Sequence, residues 1–207
     1  MRKSTEQGNV WEWRAFGVLD GDLVRTVESH PIRMGVHNTR EQDLYFVSAT
    51  SNQNIKLRRT GDDWVLKLKL LLKTRDAADL YLETPEMVYG FPVRSTLADE
   101  VASLLDAVLP SQERDMASNL DRDQFVRLMA QSSPPIDLTP VLKTRSQFEF
   151  NEGWVEIASA VFPLLSVQSI AVQSLERQAV ERIKEEIRIR PNGLGSMNYV
   201  QACRRWK

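Results

Sequence analysis

The sequence predicts an α+β fold in which a largely antiparallel β-sheet curves into a closed or nearly closed tunnel, with helices packed outside. Three observations lead to this prediction. Strand-like segments alternate apolar with charged residues, two turn sequences each lie between a pair of such segments, and helical periodicity is confined to separate segments from residue 95 onward. A closed sheet has no exposed edge and needs two different faces, which is the pattern that these strands show.

Strands are predicted where apolar and polar residues alternate between turn sequences. Thr-Gly-Asp-Asp at 60–63 and Asn-Glu-Gly at 151–153 each lie between two such segments, so each predicts a β-hairpin. Residues 17–38 show no clear pattern. The predicted strands are residues 10–16, 44–48, 55–59, 64–72, 79–83, 138–150, 154–161 and 167–175.

Helices are predicted where apolar residues recur every three or four positions. Ser95 precedes such a run as its N-cap, and Pro110 ends it. The last predicted helix is short and basic at its end. The predicted helices are residues 95–109, 121–131, 175–187 and 199–206.

Length and composition limit the possible classes of protein. The 207 residues suit one domain, predicted at 10–207 after a polar leader at 1–9. With 27 Lys and Arg against 28 Asp and Glu, the net charge is −1, so we expect no sequence-specific nucleic-acid binding. No apolar run is long enough to cross a bilayer, and the single cysteine forms no internal disulfide. We therefore expect a cytoplasmic protein with no membrane partner.

Three predicted strands carry two cations each, at alternate positions. Side chains two residues apart on a strand share a face, so each pair points one way while its apolar neighbours point the other. If this face turns inward, it forms a channel that attracts polyanions; if it turns outward, it is an ordinary solvated sheet surface. The pairs are Lys56 with Arg58, Lys67 with Lys69, and Lys143 with Arg145.

The order of these segments resembles the CYTH superfamily, the triphosphate tunnel fold of thiamine triphosphatases, class IV adenylyl cyclases and inorganic triphosphatases. VWEWR at 10–14 stands where the family has its opening Glu-x-Glu-x-Lys strand, and QDLYF at 42–46 is similar to its Asp-x-Tyr-Tyr/Phe strand. IKLRR at 55–59 with LKLK at 66–69 resembles its Leu-Arg-x-Arg hairpin, and VLKTR at 141–145 resembles its Lys-x-Arg strand. The resemblance spans nearly the whole chain and implies that the cationic face lines the tunnel.

The resemblance also implies a set of phosphate-binding residues. They retain the positive charge of the matched family positions, although several exchange arginine for lysine or the reverse. Arginine holds phosphate as a bidentate fork and lysine as a point charge, so these exchanges alter specificity. The implied residues are Arg14, Lys56, Arg58, Lys69, Lys143 and Arg145.

The metal site of the family is incomplete in this chain. In the family, carboxylates of the first and last strands hold a divalent cation, but Val10, Ala171 and Gln173 stand at three of those positions here and only Glu12 remains. Hard cations need several oxygen ligands. The remaining candidate ligands for Mg²⁺ or Mn²⁺ are Glu12, Glu149 and Glu156.

The expected function is therefore the binding of a phosphate-rich small molecule, such as a triphosphate, a nucleotide or a similar organic phosphate. Binding requires no cofactor, and catalysis is weak or absent. One alternative is a metal-dependent triphosphatase that uses Mg²⁺ or Mn²⁺. Another is a non-catalytic scaffold that binds a protein partner through an outer surface such as the basic tail at 204–207. Asp43 and Tyr45 are interpreted as structural, and the two histidines as surface residues.

Overall fold

The computed structural model describes residues 8–30, 35–110, 118–190 and 193–207. The helices are α1 (Gly21–Ser29), α2 (Ser95–Leu104), α3 (Arg122–Ala130), α4 (Arg177–Glu186) and α5 (Tyr199–Trp206), with a 3₁₀ turn at Pro85–Met87. The strands are β1 (Gly8–Gly17), β2 (Gly35–Val47), β3 (Asn54–Thr60), β4 (Asp63–Arg75), β5 (Ala78–Glu83), β6 (Val88–Gly90), β7 (Val93–Arg94), β8 (Asn119–Leu120), β9 (Asp137–Phe150), β10 (Gly153–Val161), β11 (Ser166–Ser174) and β12 (Leu194–Ser196).

Eight antiparallel strands form a closed barrel. Around it they run β1-β11-β10-β9-β2-β3-β4-β5, and the pairing of β5 with β1 completes the circle. Strand β12 adds to β1 and β6 adds to β4, while β7 and β8 form a separate small ladder. The barrel with external helices confirms the predicted fold class, and both predicted β-hairpins are present as β3–β4 and β9–β10.

The apolar faces of the strands point outward and are buried under helices. On one side of the barrel α2 and α3 cover β2, β3 and β4, where Phe46 packs edge-on against Phe125 of α3. On the other side α1 and α4 cover β1, β10 and β11, where Trp13 and Ile170 pack with Ile183 of α4. Because alternate side chains point to opposite faces, this burial leaves the charged face of each strand inside the barrel.

Helix α5 covers one end of the barrel interior. Its Tyr199 and Cys203 pack with Phe16, Tyr45 and Phe162. Phe16 of β1 and Tyr45 of β2 each lie two residues after a charged residue whose side chain faces the interior. The helix begins with a capping box between Asn198 and Gln201. Its basic end is fixed to the barrel, since the Arg204 guanidinium donates hydrogen bonds to the Ser48 carbonyl and the Asn52 side chain, each at 2.7 Å. This end is therefore closed by an aromatic layer.

Several element boundaries differ from the prediction. Helix α2 ends at Leu104 instead of residue 109, because the chain turns at Asp106 with φ 58° and Val108 pairs with Ser133 in an isolated bridge. Ser95 is the first residue of α2, and Arg94 holds the N-cap position that was predicted for it. The unclear segment 17–38 contains α1 and the start of β2. Strand β1 begins at Gly8, inside the predicted leader, whose residues 1–7 lie outside the described part of the chain.

Among the described residues, no helix combines the length and the apolar character needed to cross a membrane.

The burial of the outward faces predicts an unequal response to truncation. Phe46→Ala removes a ring that is 0% exposed, so we expect it to lower the free energy of unfolding by about 3–5 kcal/mol. Leu142→Ala removes a side chain that is 45% exposed on the outer face of β9, so we expect a loss below about 1 kcal/mol. Urea unfolding measures both values, and equal losses would contradict the described packing.

Candidate functional site

The barrel interior contains a continuous set of ion pairs, here named the interior network. In the part of the chain that the structure describes, it joins seven cations and five carboxylates from seven of the eight barrel strands. All six residues that sequence reasoning assigned to phosphate binding belong to it. Its members are Glu12, Arg14, Glu41, Asp43, Lys56, Arg58, Lys67, Lys69, Glu83, Lys143, Arg145 and Glu156.

Asp43 of β2 is the centre of one half of the network. Its carboxylate is fully buried and accepts two hydrogen bonds from Arg58, at 2.8 and 2.9 Å. Lys56 Nζ lies 3.2 Å and Lys143 Nζ 2.5 Å from Asp43 Oδ2. Burial alone raises the pKa of Asp43, but these three cations outweigh it and hold that pKa well below its usual range. Asp43 therefore stays ionised and neutralises three largely buried cations.

Arg14 of β1 is the centre of the other half. Its Nε donates to Glu12 Oε1 and its Nη1 donates to Glu156 Oε1, both at 2.9 Å. Lys69 Nζ donates to Glu12 Oε2 at 2.8 Å, and Arg145 Nη1 donates to Glu156 Oε2 at 2.7 Å. Burial alone raises the pKa of Glu12 and of Glu156, but the adjacent cations outweigh it, so that the pKa of Glu12 lies well below its usual range and that of Glu156 is about 2.

Glu41 joins the two halves. One of its oxygens accepts from Arg58 Nη1 at 2.6 Å and pairs with Arg145 Nη2 at 2.7 Å, while the other lies 3.2 Å from Lys143 Nζ. Burial lowers the pKa of Arg145, but its carboxylate partners Glu156 and Glu41 raise that pKa by more, so the net change is a rise. The interior charges thus form one network, in which a change at one member alters the contacts of the others.

Two tyrosines lie between the network and the closed end of the barrel. The Tyr45 hydroxyl accepts a hydrogen bond from Lys56 at 3.2 Å and from Lys143 at 3.4 Å. The Arg14 guanidinium and Lys143 Nζ lie 4.6 and 4.7 Å from the centre of the Tyr199 ring, which is close enough for cation–π attraction. Burial lowers the pKa of Lys56, and the neighbouring Lys143 and Arg58 lower it further despite the opposing Asp43.

Exposure of the network increases away from helix α5. The side chain of Lys143 is 4% exposed, whereas that of Arg145, two residues further along β9, is 24% exposed. Lys67 is 23% and its partner Glu83 is 41% exposed. Glu83 pairs with the first residue of β1, at the opposite end of that strand from the aromatic layer. The network is therefore most exposed at this end, here named the mouth and formed by Lys67, Glu83 and Arg145.

Sequence reasoning identified the interior cations, but among their carboxylate partners it assigned a site role only to Glu12 and Glu156, as metal ligands. Glu41 and Asp43 pair with cations across β2, β3 and β9, yet the predicted strand began only at residue 44, so neither was placed on a face. Asp43 was interpreted as structural. Residues 41, 43 and 45 share a face of β2, so alternation along the full strand was the signal that would have identified Glu41 and Asp43 as interior residues. Glu83 ended the predicted strand 79–83, whose residues 79, 81 and 83 share a face, but it was not predicted to pair with a cation.

The candidate metal ligands take different positions. Glu12 and Glu156 both face the interior, and all four of their carboxylate oxygens accept hydrogen bonds from nitrogen donors, including Gln173 Nε2 on Glu12 at 2.6 Å. Glu149 is 42% exposed and lies 3.6 Å from His37 Nε2. The described residues contain no group of three acidic, histidine or cysteine side chains arranged for a metal ion. As arranged here the donor set does not fit a divalent cation, and the ligand role of these three glutamates stays a prediction.

Cys203 is buried in the aromatic layer at the closed end. Burial raises the pKa of its thiol to about 12, so it remains protonated and unreactive at neutral pH.

Comparison with solved structures finds the same fold at low sequence identity. A conserved hypothetical protein from Pyrococcus furiosus aligns with a TM-score of 0.55 and 12% identity, over 93% of this chain and 98% of its own. A putative adenylate cyclase from Bacillus halodurans gives 0.50 and 11%, over 92% and 95%, and a protein from Pyrococcus horikoshii gives 0.50 and 14%, over 95% and 99%. No protein-family model matches the chain, and no curated protein matches it. These likenesses confirm the predicted tunnel-barrel fold.

The buried position of Asp43 predicts a large loss of stability when its charge is removed. Asp43→Asn removes the charge that faces three largely buried cations and leaves only Glu41 to pair with Arg58 and Lys143, so we expect it to lower the free energy of unfolding by about 3–5 kcal/mol. Asp62→Asn, in the exposed β3–β4 turn, is the matched control, with an expected change within about 0.5 kcal/mol. If urea unfolding gives Asp43→Asn the stability of the wild type, Asp43 is not holding the network.

The low pKa of Glu156 predicts an acid-dependent stability. Because folding lowers this pKa from 4.5 to about 2, the stabilisation is complete above about pH 4.5 and is lost as the pH falls towards 2. We expect the wild type to lose about 1–2 kcal/mol more than Glu156→Gln between pH 7 and pH 3. Denaturant titrations of both proteins at the two pH values measure this difference, and parallel losses would contradict the assignment.

Proposed function

We propose that the barrel binds a phosphate-rich anion, such as a triphosphate, a nucleotide or a similar organic phosphate, in the interior network. The observation that carries the proposal is the convergence of cations from strands β1, β3, β4 and β9 on the barrel interior, where the members at the mouth are the most exposed. A cleft lined by cations and walled by protein focuses its field and raises the local concentration of anions. The proposal depends on this network, since the structural likenesses show the fold alone.

Binding involves an exchange of partners. Within the interior network the seven cations outnumber the five carboxylates, so an entering anion is attracted although each cation already has a partner. Phosphate oxygens then take the positions of carboxylate oxygens on Arg58 and Arg145, whose planar guanidinium groups match phosphate as bidentate donors. Glu83 is the most exposed carboxylate of the network, so it is the one that can turn into solvent at the least cost. The affinity therefore depends on the difference in free energy between the cation–phosphate contacts that form and the cation–carboxylate contacts that break.

Weak or absent catalysis is part of the proposal. Activation of water needs a group that accepts a proton near the working pH. In the described interior, cations hold the pKa values of Glu12, Asp43, Glu83 and Glu156 below their usual range, and these carboxylates are already hydrogen-bonded or paired. A carboxylate of this kind is a poor base. Metal-dependent triphosphate hydrolysis is therefore the weaker alternative.

One observation favours a second function. The interior cations are already paired with carboxylates of the chain itself, as expected if the network served only to stabilise the barrel. Function would then lie on an outer surface, and the protein would be an interaction scaffold. The basic tail is a limited candidate for that surface, because Arg204 is bound to the loop at 48–52 and Lys207 pairs with Asp137.

Calorimetric titration with tripolyphosphate in the presence of EDTA tests the proposal. We expect binding by the wild type that weakens as the salt concentration rises, because the contacts are ionic. Lys67→Ala combined with Arg145→Ala removes two mouth cations and is expected to weaken binding on the order of tenfold or more.

Arg40→Ala combined with Lys73→Ala is the matched control, because it removes two exposed cations outside the network. It is expected to leave the dissociation constant within about twofold of the wild type. An equal loss in both double variants would indicate non-specific attraction. The absence of binding with or without metal would favour the scaffold.

A further inference from the structure

We propose that Arg14 is a built-in counter-cation for Glu12 and Glu156, which excludes a divalent metal from the interior and makes anion binding independent of metal. The inference deepens the proposed function, on which it depends, because it describes how the same site holds its charges. It concerns the two interior carboxylates that sequence reasoning assigned as metal ligands.

The geometry places one guanidinium between the two carboxylates. Adjacent nitrogens of Arg14 donate to Glu12 and to Glu156, each at 2.9 Å. These glutamates lie on β1 and β10, and β11 separates these strands in the barrel. On β11, Ala171 lies between them, since it is paired with Arg14 on one side and with Glu156 on the other. The small alanine side chain leaves room for the guanidinium to cross from one strand to the other.

The remaining carboxylate oxygens are also occupied by nitrogen donors. Glu12 Oε2 accepts from Lys69 at 2.8 Å and from Gln173 at 2.6 Å, and Glu156 Oε2 accepts from Arg145 at 2.7 Å. A divalent cation would have to displace these donors and would lie beside three cationic side chains. Like charges at such distances repel strongly in a buried site. The site therefore disfavours a metal by geometry and by charge.

The same arrangement suits an anion. The two carboxylates and the cations Arg14, Lys69 and Arg145 carry a local positive charge, without any added ion. Arg14 is 5% exposed and its ring contact with Tyr199 fixes its orientation, so its charge is preorganised. Arg14 is thus a positioning residue. Its side chain supplies the positive charge that a bound metal ion would otherwise bring to the interior.

Titration of the protein alone with Mn²⁺, followed by the electron paramagnetic resonance signal of free Mn²⁺, tests this inference. We expect wild type and Glu12→Gln to bind Mn²⁺ equally weakly. Arg14→Met removes the charge but retains a long flexible side chain. We expect it to bind one Mn²⁺ on the order of tenfold or more tightly than the wild type. Arg14→Met combined with Glu156→Gln should lose this gain, and Arg14→Lys should not show it.

Two results would overturn the inference. One is Mn²⁺ binding by the wild type that Glu12→Gln abolishes. The other is a folded Arg14→Met, as judged by circular dichroism, that gains no Mn²⁺ affinity. If Arg14→Met does not fold, the comparison of wild type with Glu12→Gln decides alone.

These results are separable from the proposed function. Tripolyphosphate binding that requires Mn²⁺ would overturn metal independence while the anion site stands. Failure to bind tripolyphosphate in any condition would overturn the anion site, whereas the Mn²⁺ titration uses no phosphate and would still report on Arg14.

Discussion

Charged groups inside a protein must be paired, and the barrel satisfies this requirement with partners that come mainly from other strands. Removal of water from an ionised side chain is costly unless an opposite charge compensates for it, and an unpaired member is strongly destabilising. Asp43 takes its three cations from β3 and β9, and Arg14 takes its carboxylates from β1 and β10. A shift of one residue in any of these pairings would turn the charges towards the helices, so the network and the strand register depend on each other.

The external helices follow from the same constraint. Strands whose charged residues face inward necessarily expose their apolar residues on the outside, and two helix pairs bury most of that surface. Helix α5 has a different role, because it covers the residues where the interior changes from charged to aromatic. Tyr45 and Tyr199 mark this change, since each presents a ring to a lysine or an arginine. The charged members of the network are thereby most exposed at the mouth, on the side away from this aromatic layer.

The sequence was sufficient for the features that arise locally. Alternation and turn residues predicted the β3–β4 and β9–β10 hairpins, and the matched order of segments predicted that the charged face turns inward. Features that depend on distant residues were not accessible in this way. Arg14 and Glu156 are 142 residues apart, and no periodicity shows that a guanidinium will cross β11 to reach that carboxylate. Glu41 was missed because the alternation of β2 was read over too short a segment, and α2 was predicted too long because apolar spacing continues past the turn at Asp106.

A crystal structure of the protein grown with tripolyphosphate would decide whether the interior network binds an anion. We expect the anion inside the barrel, within hydrogen-bond distance of Arg58 and Arg145, with Glu83 turned towards solvent and Arg14 still between Glu12 and Glu156. An interior network with unchanged contacts and an anion bound only on the outer surface would contradict this proposal. A metal ion between Glu12 and Glu156 would contradict it as well.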